Sequence, residues 1–147
     1  AQLTRALESG AKPLLDAAAW AKDRADSTYV APQLLTNVDH SMALMADETF
    51  GPCAGIMSVR NDDDAVRLMN DSTFGLTASI WSTDEVKVTK LAEQVEAGTV
   101  FMNRCDYLDP ALAWTGVKHS GRGVTLSSLG FEHLTRAKSF HFRTRMP

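Results

Sequence analysis

No apolar run in this chain approaches the roughly 18 residues that a membrane-spanning helix needs. A spanning segment is therefore excluded, and the start of the chain also lacks the basic, apolar and small-residue order of a secretory leader. Cysteine is scarce. Cys53 and Cys105 form neither a disulfide framework nor a C-x-x-C pair, which suits a reducing, cytoplasmic setting. Excess charge of one sign is missing too: a formal net charge of −3 over 147 residues offers no global attraction to nucleic acid or anionic membrane. The four histidines His40, His119, His133 and His141 stand at no ligand spacing, so no metal site is expected. Repeats and low-complexity stretches are absent as well.

What is present is the composition of an ordinary globular chain, 44% hydrophobic and 22% charged. A chain of this length buries about 68–70% of its unfolded surface, and one core is expected. Leu3, Ala6 and Leu7 recur at helical spacing ahead of Gly10, predicting a helix with a glycine C-cap. Leu14-Leu15 begins a short strand, and residues 17–27 read as a loop with room for a helical turn. Residues 29–36 have strand composition, but Pro32 cannot donate to a ladder, which predicts an edge strand or a bulge. Cys53 to Val59 reads as a strand.

Asn61 followed by Asp62, Asp63 and Asp64 caps and charges a helix start, with Ala65, Val66, Leu68 and Met69 on its buried side. Ser82 and Glu85 have capping-box spacing for a second helix carrying Val86, Leu91, Ala92 and Val95 and ended by Gly98. Leu76 to Trp81 and Val100 to Met102 are apolar strand runs, and Leu126 to Leu134 is a last helix. Strands alternating with helices predict an α/β fold with a mostly parallel sheet. Ser139 to Arg143 alternates polar and aromatic residues, as a strand with one buried face does.

The densest chemistry lies in Asp47-Glu48-Thr49-Phe50-Gly51-Pro52, where a carboxylate and an aromatic ring precede a Gly-Pro turn. Pro52 fixes its own φ and pushes Gly51 out of the helical region, so the chain enters a strand abruptly and Glu48 can be aimed at a ligand. This segment resembles the Glu-x-Phe-Gly-Pro motif of the NAD(P)-dependent aldehyde dehydrogenase superfamily. The resemblance continues in order. Residues 72–81 (STFGLTASIW) look like the family's N-x-T-x-Y-G-L-x-A segment. Residues 97–103 (AGTVFMN) and 115–123 (TGVKHSGRG) are similar to its A-G-x-V-x-x-N and G-G-x-K-x-S-G-x-G. Thr115 departs from the usual glycine, and the polar connection after residues 12–16 is unusually long.

The resemblance implies roles. Glu48 would hydrogen-bond the nicotinamide ribose of NAD or NADP, with Phe50 packed beside it. A lone glutamate is ordinarily a solvated surface group, and only the whole motif lifts Glu48 above that reading. The family's nucleophilic cysteine, general-base glutamate, oxyanion asparagine and Gly-rich cofactor turn all lie upstream of the matched region. The chain thus resembles the C-terminal portion of an aldehyde dehydrogenase, with no catalytic residue of its own, and is not expected to be active alone. Neither cysteine occupies the nucleophile's place. Cys53 is expected to act as a small hydrophobe in a strand, and Cys105 to sit in the loop that lines the aldehyde entrance.

Within that loop and at its end, Cys105, Tyr107, Leu108 and Trp114 are the candidates for the substrate tunnel, each against an alternative of ordinary packing. An apolar, aromatic wall favours an uncharged aldehyde, whereas Arg104 turned inward favours an acidic semialdehyde. Gly116, Gly121 and Gly123 do not fit a phosphate loop, because Arg122 follows Gly121 and Lys118 is misplaced; tight turns account for them. The resemblance also predicts a catalytic-domain portion over residues 1–137 and a terminal oligomerisation strand and tail over 138–147, hence a homo-oligomer. The competing class is a non-catalytic folding or oligomerisation module.

Overall fold

The computed structural model describes residues 1–21, 26–105 and 107–146. Residues 22–25, in the loop expected over 17–27, lie outside it, as do Asp106 in the candidate tunnel loop and Pro147 in the tail. Residues 1–72 and 73–147 each make a compact unit, so two units replace the single core expected from length.

In the first unit, helix α1 (Gln2–Glu8) closes with Gly10 at φ +97. The Ala11 N–H donates to the Ala6 carbonyl and the Gly10 N–H to the Leu7 carbonyl, the paired bonds of a Schellman stop, in which glycine takes the left-handed position without a Cβ penalty. The next strand, β1, is Lys12–Pro13 rather than Leu14-Leu15, and Asp16 caps a 3₁₀ turn over Ala17–Ala19. Strand β2 (Gln33–Thr36) starts after Pro32, which is how the proline is accommodated. It is therefore the middle strand of three, not an edge: antiparallel to β1 and parallel to β3 (Cys53–Gly55). Strand β3 stops well short of Val59.

The sequence reading missed the short helix α2 (Ala43–Ala46) between β2 and β3. It has no side-chain cap, and the turn ahead of it is held by Asp39, whose carboxylate accepts the Ser41 hydroxyl and amide; those bonds hold the Asp39 carboxyl below its ordinary range. Ala6, Ala11, Leu35, Val38 and Leu44 form the core of this unit, and half-buried Cys53 packs against it as a small hydrophobe.

Helix α3 (Asp62–Asn70) has the expected cap, with Asn61 Oδ1 accepting the Asp64 N–H at 2.8 Å. Val66 is its buried side chain, while Met69 is exposed. Asp64 takes Arg67 at 2.8 Å and Arg60 at 3.2 Å, and bonds from these two guanidinium groups, Arg67 first, hold its carboxyl well below the usual range. A depressed carboxyl contributes stability above its unfolded pKa of about 3.9 and loses that contribution as pH falls toward the folded value. Below about pH 4 the urea midpoint of the parent should therefore drop more steeply than that of Asp64→Asn, which has no charge to lose. Parallel acid limbs would count against this.

The second unit begins with β4 (Phe74–Gly75) and β5 (Thr77–Ile80), followed by helix α4 (Glu85–Ala92). The cap of α4 is Asp84, whose carboxylate accepts the Lys87 N–H, not Ser82, and the helix ends before Gly98. Its buried residue is Val88, with Leu91 and Ala92 half-buried at i+3 and i+4; Val86 faces solvent. Strand β6 (Thr99–Met102) then lies parallel to β5. The connections β2–α2–β3 and β5–α4–β6 each carry a helix and give parallel pairs, which is the α/β logic expected.

Three further pairs are antiparallel. They involve β1, and then β7 (Trp114–Thr115) with β9 (Val124–Thr125) and β8 (Val117–Lys118) with β4. The fold is thus mixed α/β, built from small sheets. Helix α5 (Ser127–His133) follows, and residues 135–146 form no strand within the chain.

Candidate functional site

One candidate segment, in the first unit, joins α2 to β3. Asp47 leaves α2 in extended geometry, and the Gln33 N–H donates to the Pro52 carbonyl at 2.8 Å, holding the Gly-Pro turn against the sheet. Between these fixed ends the Thr49 hydroxyl donates to Gln2 Oε1 at 3.0 Å, and Gln2 Nε2 in turn donates to the Ala43 carbonyl at 3.4 Å. Thr49 is half-buried and tied to α1. Its neighbours Glu48 and Phe50 are both exposed, and Phe50 retains 93% of its accessible surface. The chain leaves Asp47 extended, and along an extended chain alternate side chains leave on opposite faces. Anchoring Thr49 inward presents Glu48 and Phe50 outward. Among the described residues Glu48 has no ionic partner, so its acceptor oxygens are available to donors such as vicinal hydroxyls.

A separate candidate segment, in the second unit, lies beyond the carboxyl ends of β5 and β6. Asn103 takes φ +55 and ties the two strand ends together: its N–H donates to the Ile80 carbonyl at 3.0 Å, its Nδ2 donates to the Ser82 carbonyl at 2.7 Å, and its Oδ1 accepts the Ser82 N–H at 2.9 Å. The Ser79 hydroxyl donates to the Arg104 carbonyl. Arg104 then lays its guanidinium over the Tyr107 ring, 3.7 Å from the centroid. Cys105, Tyr107 and Leu108 are exposed. Further along, the Ser127 N–H donates to the Pro110 carbonyl and fastens the loop to the start of α5.

Trp114 opens β7, paired with Thr125, and lines a cleft of about 420 Å³ with Leu76, Gly116, Ser120 and Arg122. Cys105, Tyr107 and Leu108 are not among the residues of that cleft. Thr115, the departure from the usual glycine, has a use: its hydroxyl donates to the Gly123 carbonyl at 2.7 Å, closing the glycine-containing turn. Sequence reasoning missed the Gln2–Thr49 tie and the Asn103–Ser82 clamp. The asparagine was in view, but nothing in its local spacing named Ser82 as the partner.

The family model of the aldehyde dehydrogenase family matches residues 1–140. The chain belongs to that family. It is 38% identical over 111 residues to an aldehyde dehydrogenase of Paenarthrobacter nicotinovorans, covering 76% of this chain and 24% of the relative. It is 34% identical over 133 residues to a succinate-semialdehyde dehydrogenase [NADP(+)] of Mycobacterium avium (strain 104), covering 90% of this chain and 26% of the relative. The fold matches the crystal structure of an NAD-dependent aldehyde dehydrogenase from Sinorhizobium meliloti with a TM-score of 0.88 at 30% identity. That match covers 99% of this chain and 28% of the other. The chain thus spans about a quarter of the length of the curated relatives it matches. No helix among the described residues is long and apolar enough to cross a membrane, and no described group of His, Cys, Asp and Glu could hold a metal ion.

Proposed function

We propose that this chain is the C-terminal portion of an NAD(P)-dependent aldehyde dehydrogenase that oxidises an aldehyde to a carboxylic acid. The observation that carries the reading is the outward display of Glu48 and Phe50 on either side of the anchored Thr49. A carboxylate free to accept from two ribose hydroxyls, with an apolar ring two residues away, has the donor and acceptor chemistry that a dinucleotide ribose requires. A nicotinamide cofactor held there would supply the acceptor for the hydride that aldehyde oxidation releases. In this reading Glu48 orients the ribose, Phe50 shields it from water, and Cys105, Tyr107, Leu108 and Trp114 border the path of the aldehyde. The nucleophile and base come from polypeptide outside this chain. Free Cys53 and Cys105 suit a reducing compartment, so the proposed location is the cytoplasm.

The test is NAD(P)H formation from a panel of aldehydes by the purified 147-residue chain. No turnover is expected. Turnover abolished by Cys105→Ser would place the nucleophile in this chain and overturn the division of labour.

A second reading, an oligomerisation module, is favoured by the tail. Phe140 and Phe142 stack with ring centroids 5.7 Å apart and are both exposed, in a segment without a ladder partner among the described residues. A neighbouring subunit's sheet edge is the proposed partner, which makes the protein a homo-oligomer. Sedimentation of the chain with and without the residues after Lys138 should show the truncated form shifted to lower assembly. Identical mass distributions would remove the tail from the interface.

A further inference from the structure

The Asn103 backbone and side chain and the Arg104 carbonyl together make four hydrogen bonds, to Ile80, to Ser82 twice and to Ser79, while the Arg104 side chain is charged, exposed and set over an aromatic ring. An exposed arginine ordinarily sweeps many rotamers. Set over Tyr107 with its carbon 3.7 Å from the ring centroid, this one has a support, and such a contact engages a face of the guanidinium while leaving its N–H edges to donate. Among the described residues no carboxylate is paired with it. Its place matters as well, because in open α/β sheets ligands bind outside the carboxyl ends of the strands, and Arg104 stands two residues past the end of β6 beside the end of β5. A planar fork of donors on a preordered support is the geometry that binds an oxyanion through two parallel bonds.

We propose that Arg104, preordered on Tyr107 at the carboxyl end of β6, binds a carboxylate at the end of the substrate remote from the aldehyde, so that the substrate class is a short aldehyde bearing a terminal carboxylate. This rests on the dehydrogenase reading above. A phosphate of the cofactor presents the same oxyanion chemistry, and the experiment separates the two.

The complete enzyme carrying this segment is assayed with a four-carbon aldehyde ending in a carboxylate and with the uncharged aldehyde of the same length, each with NAD+ and with NADP+. Arg104→Met should raise KM for the carboxylate-bearing aldehyde about tenfold to a hundredfold, the loss of a charge-assisted contact. KM for the uncharged aldehyde and for both cofactors should stay unchanged. Arg104→Lys, which keeps the charge but not the fork, should recover only part of the loss, and Tyr107→Leu should fall between Arg104→Met and the parent. An equal effect of Arg104→Met on both aldehydes overturns the proposal, and so does an effect confined to KM for NADP+, which assigns the guanidinium to the cofactor. If the parent oxidises neither aldehyde with either cofactor, the dehydrogenase reading itself falls.

Discussion

Glu48→Gln is expected to lower cofactor-dependent turnover about tenfold to a hundredfold in the complete enzyme, because hydrogen bonds to a charged acceptor are worth roughly 1.5–3 kcal/mol. The substitution keeps shape and volume while removing the charge and turning one acceptor into a donor, so a ribose hydroxyl loses its partner. The local scaffold does not depend on this side chain. Thr49 is the residue tied to Gln2, and the Pro52 carbonyl is held by the Gln33 amide, so the turn should survive the change. Cofactor affinity by titration, together with kcat, is the measurement. Unchanged values for both would remove Glu48 from the cofactor site, and an unfolded variant would show that the carboxylate has a structural role not visible in its surroundings.

The second large effect is steric. Gly98 approaches β7 so closely that a Cβ placed on it would lie 1.7 Å from the Thr115 carbonyl oxygen, a backbone atom that cannot rotate out of the way. Gly98→Ala must therefore separate the start of β6 from β7. Overpacking of this kind typically costs about 1–3 kcal/mol, and the rigidity of both partners places this site at the upper end. Urea unfolding of the 147-residue chain followed through its tryptophans should show a lower midpoint. Gly51→Ala, where open space surrounds the added methyl, serves as the matched control and should leave the midpoint nearly unchanged. Equal midpoints for Gly98→Ala and the parent would mean that the two strands separate at little cost.

Much of this was legible from local chemistry. The Asn61 cap, the Asp62 to Asp64 turn, the glycine stop at Gly10 and the run from Thr99 to Met102 are decided within a few residues, and the sequence carries the whole signal. Errors arose where a partner elsewhere in the chain decides. Strand β3 ends at Gly55, its last pairing being with Leu35, whose carbonyl accepts the Ile56 N–H, and no property of Ile56 to Val59 announces that. Pro32 looked like an edge marker, yet the chain simply begins its ladder one residue later. At α4 the expected cap, Ser82, stands two residues ahead of the residue that caps the helix. The Ser82 hydroxyl accepts the Asp84 N–H, which leaves Asp84 to cap the helix.

For the candidate site, the motif named Glu48 and Phe50, and the resemblance supplied their proposed role. That they are displayed together because Thr49 is pulled inward could be seen only with Gln2 in place, 47 residues away in sequence. The same holds for Arg104. Its ambiguity in the sequence came from not knowing what its plane rests on.

The clamp at Asn103 has one more consequence. The loop that follows is fastened at its entrance by Ser82, near its far side by the bond between Ser127 and Pro110, and at its exit by the pairing of Trp114 with Thr125. Among the described residues none of these fastenings is made by a loop side chain, so the described side chains between these points can change with little disturbance of the strands on either side. They form an interchangeable cassette, in which variation can accumulate independently of the framework that holds it.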